Sequence, residues 1–96
     1  MFVVICYDVS TSSDGGVKRL RQVAKQCQNY GQRVQNSVFE CTIEPDLWVK
    51  VKAKLSSIIN DKEDSLRFYY LGNEKSARVE HIGKKESIDM DGFLNL

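Results

Sequence analysis

With 96 residues the chain fits one domain, spanning 1–96, and a domain this small buries only about 60–65% of the surface its unfolded chain exposes, so association with a second chain is an expected source of further burial. Charged residues at 28% and apolar residues at 42% are an ordinary globular balance, and a formal net charge of +1 excludes any argument for nucleic-acid binding from total charge, which leaves only a local basic patch. No apolar run reaches membrane-spanning length and no basic segment precedes the first apolar run, so a cytoplasmic protein with no membrane partner is expected.

Residues 2–9, Phe-Val-Val-Ile-Cys-Tyr-Asp-Val, predict a strand buried on both faces. Phe2, Val4 and Cys6 fall on one face, and Val3, Ile5 and Tyr7 on the other. This strand closes on Asp8, which has two readings: a turn initiator, or a metal ligand at a strand mouth. Residues 10–16, rich in Ser, Asp and Gly, predict a loop. From Val17 the apolar spacing becomes helical, through Leu20, Val23, Ala24 and Cys27, while Lys18, Arg19, Arg21, Gln22, Lys25 and Gln26 take the other positions. Gly31 is a natural helix stop.

Residues 33–43 are extended again, and Gln35, Asn36 and Ser37 predict a bend or bulge that splits them into two short strands. Pro45 opens a second helix from its first turn. Its expected core face is Leu47, Val51, Leu55, Ile58 and Ile59, with Trp48 flanking and Lys50, Lys52 and Lys54 in solvent. Residues 60–64 read as a solvated loop, and 65–71 and 77–83 as two further strands joined by a turn. The tail, 84–96, mixes charge with Ile88, Met90, Phe93, Leu94 and Leu96. Two helices cover one face of a small sheet, yet the first strand is apolar on both, so a second copy of the chain is expected on the other. The three cysteines, Cys6, Cys27 and Cys41, fit neither a zinc site nor a C-x-x-C pair and read as reduced, buried thiols.

Taken together, Val-Ile-Cys-Tyr-Asp-Val-Ser at 4–10, Arg-Val-Gln-Asn-Ser-Val-Phe-Glu at 33–40 and Ser-Leu-Arg-Phe-Tyr at 65–69 resemble the second CRISPR-associated protein family. These are the small metal-dependent nucleases of the CRISPR adaptation module, and the similarity runs over about residues 1–91. The resemblance implies an α+β, ferredoxin-like βαββαβ fold with an extra C-terminal strand. It implies a homodimer whose sheets face each other, with the tail at about 86–96 pairing with the partner subunit. It implies a dimer that bridges two dimers of the CRISPR integrase, and an endonuclease that cleaves phosphodiester bonds of double-stranded DNA or RNA with Mg²⁺, or Mn²⁺ in its place. Asp8 matches the family's metal-binding, catalytic aspartate, and Arg19, Arg21 and Arg33 match its nucleic-acid-binding residues. Tyr7, Ser37 and Phe39 are supporting candidates.

One carboxylate is a poor Mg²⁺ site, since the ion takes octahedral oxygen coordination. A two-fold axis near Asp8 would bring two. Lys18, Arg19, Arg21 and Lys25 form a basic helix face that is either solvated or in contact with phosphates. Lys50, Lys52 and Lys54 are left to solvent. Tyr7 and Phe39 read first as core, Ser37 as part of the bend, and His81, the one histidine, as structural or surface. The rival functions are a non-catalytic DNA-binding adaptor, a toxin-like ribonuclease on the same fold and a small-molecule regulatory domain.

Overall fold

The structure, a computed structural model, describes residues 1–12, 14–72 and 78–84. The elements in chain order are β1 (Phe2–Asp8), α1 (Gly16–Tyr30), β2 (Gln32–Gln35), β3 (Val38–Thr42), α2 (Pro45–Ile58), β4 (Ser65–Leu71) and β5 (Arg78–Gly83). They form one antiparallel sheet in the order β2-β3-β1-β4-β5. The first four strands and two helices follow the ferredoxin-like βαββαβ order, and β5 adds a strand at the β4 edge. The expected exchange of the tail at 86–96 lies outside the described residues.

The apolar alternation of β1 decides where the core lies. Val3, Ile5 and Tyr7 pack with Phe39 and Cys41 of β3 and Leu66, Phe68 and Tyr70 of β4, under Val23 and Cys27 of α1 and Trp48, Val51 and Leu55 of α2. Both helices therefore cover this one face. The interruption at 35–37 is a turn with a shift of register between Arg33 and Gln35, as the polar residues there predict. Gly31 does end α1, but its φ of −147° is ordinary extended backbone. Its requirement is close approach, because a Cβ there would run into Cys41 Sγ and the Glu40 carbonyl oxygen of β3.

Three expectations need correction. Trp48, not Leu47, is the aromatic anchor of α2: Trp48 is buried edge-on against Phe68 with ring centroids 4.9 Å apart, and Leu47 is exposed. The Trp48 Nε1–H donates to Tyr70 Oη at 3.1 Å, so the large ring is buried with its polar atom satisfied. Val17 is exposed, because α1 begins by turning Gly16 inward against Ser10 and Thr11. Lys52 does not point into solvent alone; its Nζ donates to Glu80 Oε2 at 2.7 Å and ties α2 to β5.

Among the described residues no helix covers the opposite face of the sheet. Antiparallel partners share a face, so it carries Phe2, Val4, Cys6 and Asp8 of β1, Val38 and Glu40 of β3, Ser65, Arg67, Tyr69 and Leu71 of β4, and Val79 and His81 of β5. Among the described residues no helix is long and apolar enough to cross a membrane.

Candidate metal and phosphate site at the end of β1

Asp8 is the last residue of β1, exposed on the uncovered face and paired across to Ser65 of β4. Tyr7 points the other way, into the core, as alternation along a strand requires. Its ring stacks on Phe39 at 6.1 Å and its hydroxyl donates to the Asn36 carbonyl at 3.3 Å. Tyr7, Gln35, Asn36, Ser37 and Val38 line an open cavity of about 510 Å³ at the β2–β3 turn. The turn is fixed to β1 by the Tyr7 N–H, which donates to the Ser37 carbonyl at 3.1 Å.

What holds the chain beyond Asp8 is a side chain the sequence assigned to a solvated loop. Asp64 is fully buried. Its carboxylate accepts from the Ser10 N–H at 3.0 Å, the Asn60 N–H at 2.8 Å and Arg19 Nε at 2.7 Å. Its carbonyl accepts from the Lys84 N–H at 2.8 Å. One residue thus joins the exit of β1, the exit of α2, the body of α1 and the exit of β5. Burial opposes its charge, but the Arg19 guanidinium and the two backbone donors outweigh burial and hold its pKa below the usual carboxylate range. The hydrogen bond to Asp64 in turn raises the pKa of Arg19. Gly83, at φ 97°, is also required here, because a Cβ would run into the Asp64 carbonyl oxygen.

The three arginines expected to bind nucleic acid take different places. Arg19 is turned from the basic helix face into the Asp64 clamp and also contacts Glu63 and the Asp14 carbonyl. Arg21 stays on the exposed side of α1, where it lines a shallow groove with Lys18, Gln22 and Lys25. Arg33 is exposed on β2, its guanidinium 5.1 Å from the Phe39 ring centroid. Phe39 itself is fully buried and takes part as the base of that stack.

On the uncovered face, Cys6 pairs laterally with Arg67 and Arg67 with His81. Arg67 Nη2 donates to His81 Nδ1 at 3.2 Å, and His81 Nε2 bonds the Lys84 carbonyl at 2.8 Å. Burial pushes the Cys6 thiol up to about 11, with the Arg67 charge pulling the other way, so Cys6 is an unreactive thiol. Burial likewise pushes Cys27 up to about 12. All three cysteines are buried and free, as expected.

Among the described residues no group of three His, Cys, Asp or Glu side chains could hold a metal ion. Asp8 supplies one carboxylate, and Mg²⁺ is usually held by one or two together with waters and substrate phosphate; a second Asp8 would come from a second copy packed on the uncovered sheet face.

The family model of CRISPR associated protein Cas2 matches residues 1–79. The chain belongs to the Cas2 family. It is similar to the CRISPR-associated endonuclease Cas2 of Halalkalibacterium halodurans, 59% identical over 94 residues that cover 98% of each chain. It is also similar to the CRISPR-associated endoribonuclease Cas2 of Chlorobaculum tepidum, 54% identical over 96 residues that cover the whole of both. Among solved structures it resembles Streptococcus pyogenes Cas2, with a TM-score of 0.70 and 54% identity, covering 86% of this chain and 100% of that one. Membership in the Cas2 family agrees with the resemblance carried by the strand ending in Asp8. It does not by itself account for Asp64, Arg67 or His81, which sequence reasoning left out of the site. Arg67 and His81 carried a usable signal, since polar residues set among apolar ones in adjacent strands mark a shared face. Asp64 carried none, because the partners that set it apart, Arg19 and Ser10, lie 45 and 54 residues away.

Proposed function

We propose that the protein is a metal-dependent nuclease of CRISPR adaptation, a homodimer that also serves as a DNA-binding scaffold between integrase dimers. The observation that carries this reading is Asp8, exposed at the end of a rigid strand on a sheet face that, among the described residues, no helix covers. Two copies packed through that face would bury Phe2 and Val4 and bring two Asp8 carboxylates together. A bound Mg²⁺ would supply polarisation of a phosphoryl oxygen and activation of a water. The carboxylates would hold the ion, and the strands would keep them in place better than loops could. Arg21, Lys18, Lys25 and Arg33 would hold the nucleic-acid backbone irrespective of sequence, while Arg19 serves the fold. The names of the relatives, one an endonuclease and one an endoribonuclease, support phosphodiester cleavage and leave both DNA and RNA as substrates.

The non-catalytic adaptor is the second reading, favoured by the basic groove of α1, where Lys18, Arg21 and Lys25 could hold a nucleic-acid backbone whether or not a metal binds. The deciding experiment is Asp8→Asn, which keeps size and removes charge. The nuclease reading expects loss of Mg²⁺-dependent cleavage of duplex DNA and of RNA, with the dimer and duplex binding retained. Cleavage at the wild-type rate would refute it.

A further inference from the structure

We propose that Arg67 is a phosphate-binding residue of the Asp8 site, held ready by His81; this rests on the nuclease reading above. The sheet register supplies the placement. Asp8 pairs with Ser65, and Arg67 is two residues further along β4 on the same face, a diagonal neighbour of Asp8 at about 7–8 Å between Cα atoms. An alternation of one residue would have put it in the core instead.

The hydrogen bonds decide how this arginine is held. A carbonyl can only accept, so His81 Nε2 carries the proton that reaches the Lys84 carbonyl. A guanidinium can only donate, so His81 Nδ1 is the acceptor for Arg67 Nη2. One tautomer of His81, with Nδ1 accepting and Nε2 donating, serves both contacts. Its anchor is firm, because the Lys84 N–H is bonded to the Asp64 carbonyl. This clamp orients Arg67 without neutralising it. A carboxylate in the place of His81 would have cancelled the charge, and among the described residues no carboxylate lies within ion-pair distance of Arg67. Arg67 is half-buried, where a charge acts through less water than on an exposed helix. Beside it on the same face lies the buried Tyr69 hydroxyl.

An oriented, partly desolvated guanidinium with donors to spare, next to a metal-binding carboxylate, suits a phosphodiester. Its fork matches two phosphate oxygens, and charge grows on those oxygens as the bond to the leaving group breaks. The lysines and arginines of α1 and β2 grip the backbone in general, whereas Arg67 would touch the phosphate that reacts.

The test uses the single histidine as its reporter. Inorganic phosphate, and then a short DNA duplex, are titrated into the metal-free, full-length protein while the His81 ring is followed by NMR. Saturable ring shifts are expected with both probes, and Arg67→Ala should abolish them. The same variant should lower kcat for Mg²⁺-dependent cleavage by about 10²–10³-fold, the usual cost of one donor to a developing oxyanion, with dimer and duplex affinity little changed. Arg67→Lys, which keeps charge but not the fork, should recover part of the loss. His81→Asn, which keeps one acceptor near Nδ1, should fall between wild type and Arg67→Ala. An Arg67→Ala protein that cleaves at the wild-type rate, or a His81 ring blind to phosphate, would overturn the proposal. So would loss of cleavage only through dissociation of the dimer, which would make Arg67 an interface residue. If the wild type shows the ring shifts but no Asp8-dependent cleavage, the nuclease reading fails and the anion site stands.

Discussion

Replacing Asp64 by Asn should destabilise the protein far more than an Asp-to-Asn change on its surface. The structure sets the magnitude. Asp64 Oδ1 accepts the Ser10 N–H and Arg19 Nη2, and Oδ2 accepts the Asn60 N–H and Arg19 Nε. An amide offers one acceptor oxygen, so whichever way it turns its NH₂ meets donors. At least one backbone N–H is left unsatisfied in a site with no water access, which costs about 1–3 kcal/mol. The remaining charge-assisted bonds weaken as the carboxylate charge disappears, bringing the total to about 3 kcal/mol. For a domain of this length that lowers Tm by roughly 10–25 °C. The assay is thermal and urea unfolding of both proteins at one protein concentration, since dimerisation would otherwise shift Tm by mass action. The pH dependence supplies a second check. The folded pKa of Asp64 lies below the unfolded value of about 3.9, so its contribution is full well above that value and is lost as pH falls through the folded pKa. The gap between wild type and variant should therefore be constant from pH 7 to about 5 and shrink below about pH 4. A gap under about 1 kcal/mol at pH 7, or one that persists unchanged at pH 3, would refute the clamp.

Three further outcomes are expected. Arg33→Ala and Arg21→Ala should each weaken duplex DNA binding equally for all sequences and lower the slope of log affinity against log salt by about one, measured by fluorescence anisotropy; a changed sequence preference with an intact slope would exclude backbone contact. Gly83→Ala should lower stability by more than about 1 kcal/mol in urea titration, because φ 97° and the Asp64 carbonyl both oppose a Cβ. Light scattering should find a dimer at micromolar concentration, weakened by deletion of 86–96, and a monodisperse full-length monomer would count against the two-carboxylate site.

The sequence by itself determined most of the local structure. The uninterrupted apolar run of β1, the helical spacing from Leu20 to Cys27, Pro45 at the start of α2 and the polar break at 35–37 all sit where their periodicity and turn chemistry place them. Asp8 was visible as a carboxylate closing an apolar strand, a position equally suited to a turn initiator, and the resemblance to the family is what singled it out. Tertiary structure alone decided which charges are available. Lys18, Arg19 and Arg21 look alike along the helix, but Asp64, 45 residues beyond Arg19, takes Arg19 out of the basic face. The same applies to Lys52, claimed by Glu80 at a separation of 28 residues, and to Arg67, oriented by His81 at 14. Local spacing governs backbone conformation and which side of an element a residue occupies. The partner a charged side chain finds there depends on strand register and loop closure, and these are fixed only when distant segments pack.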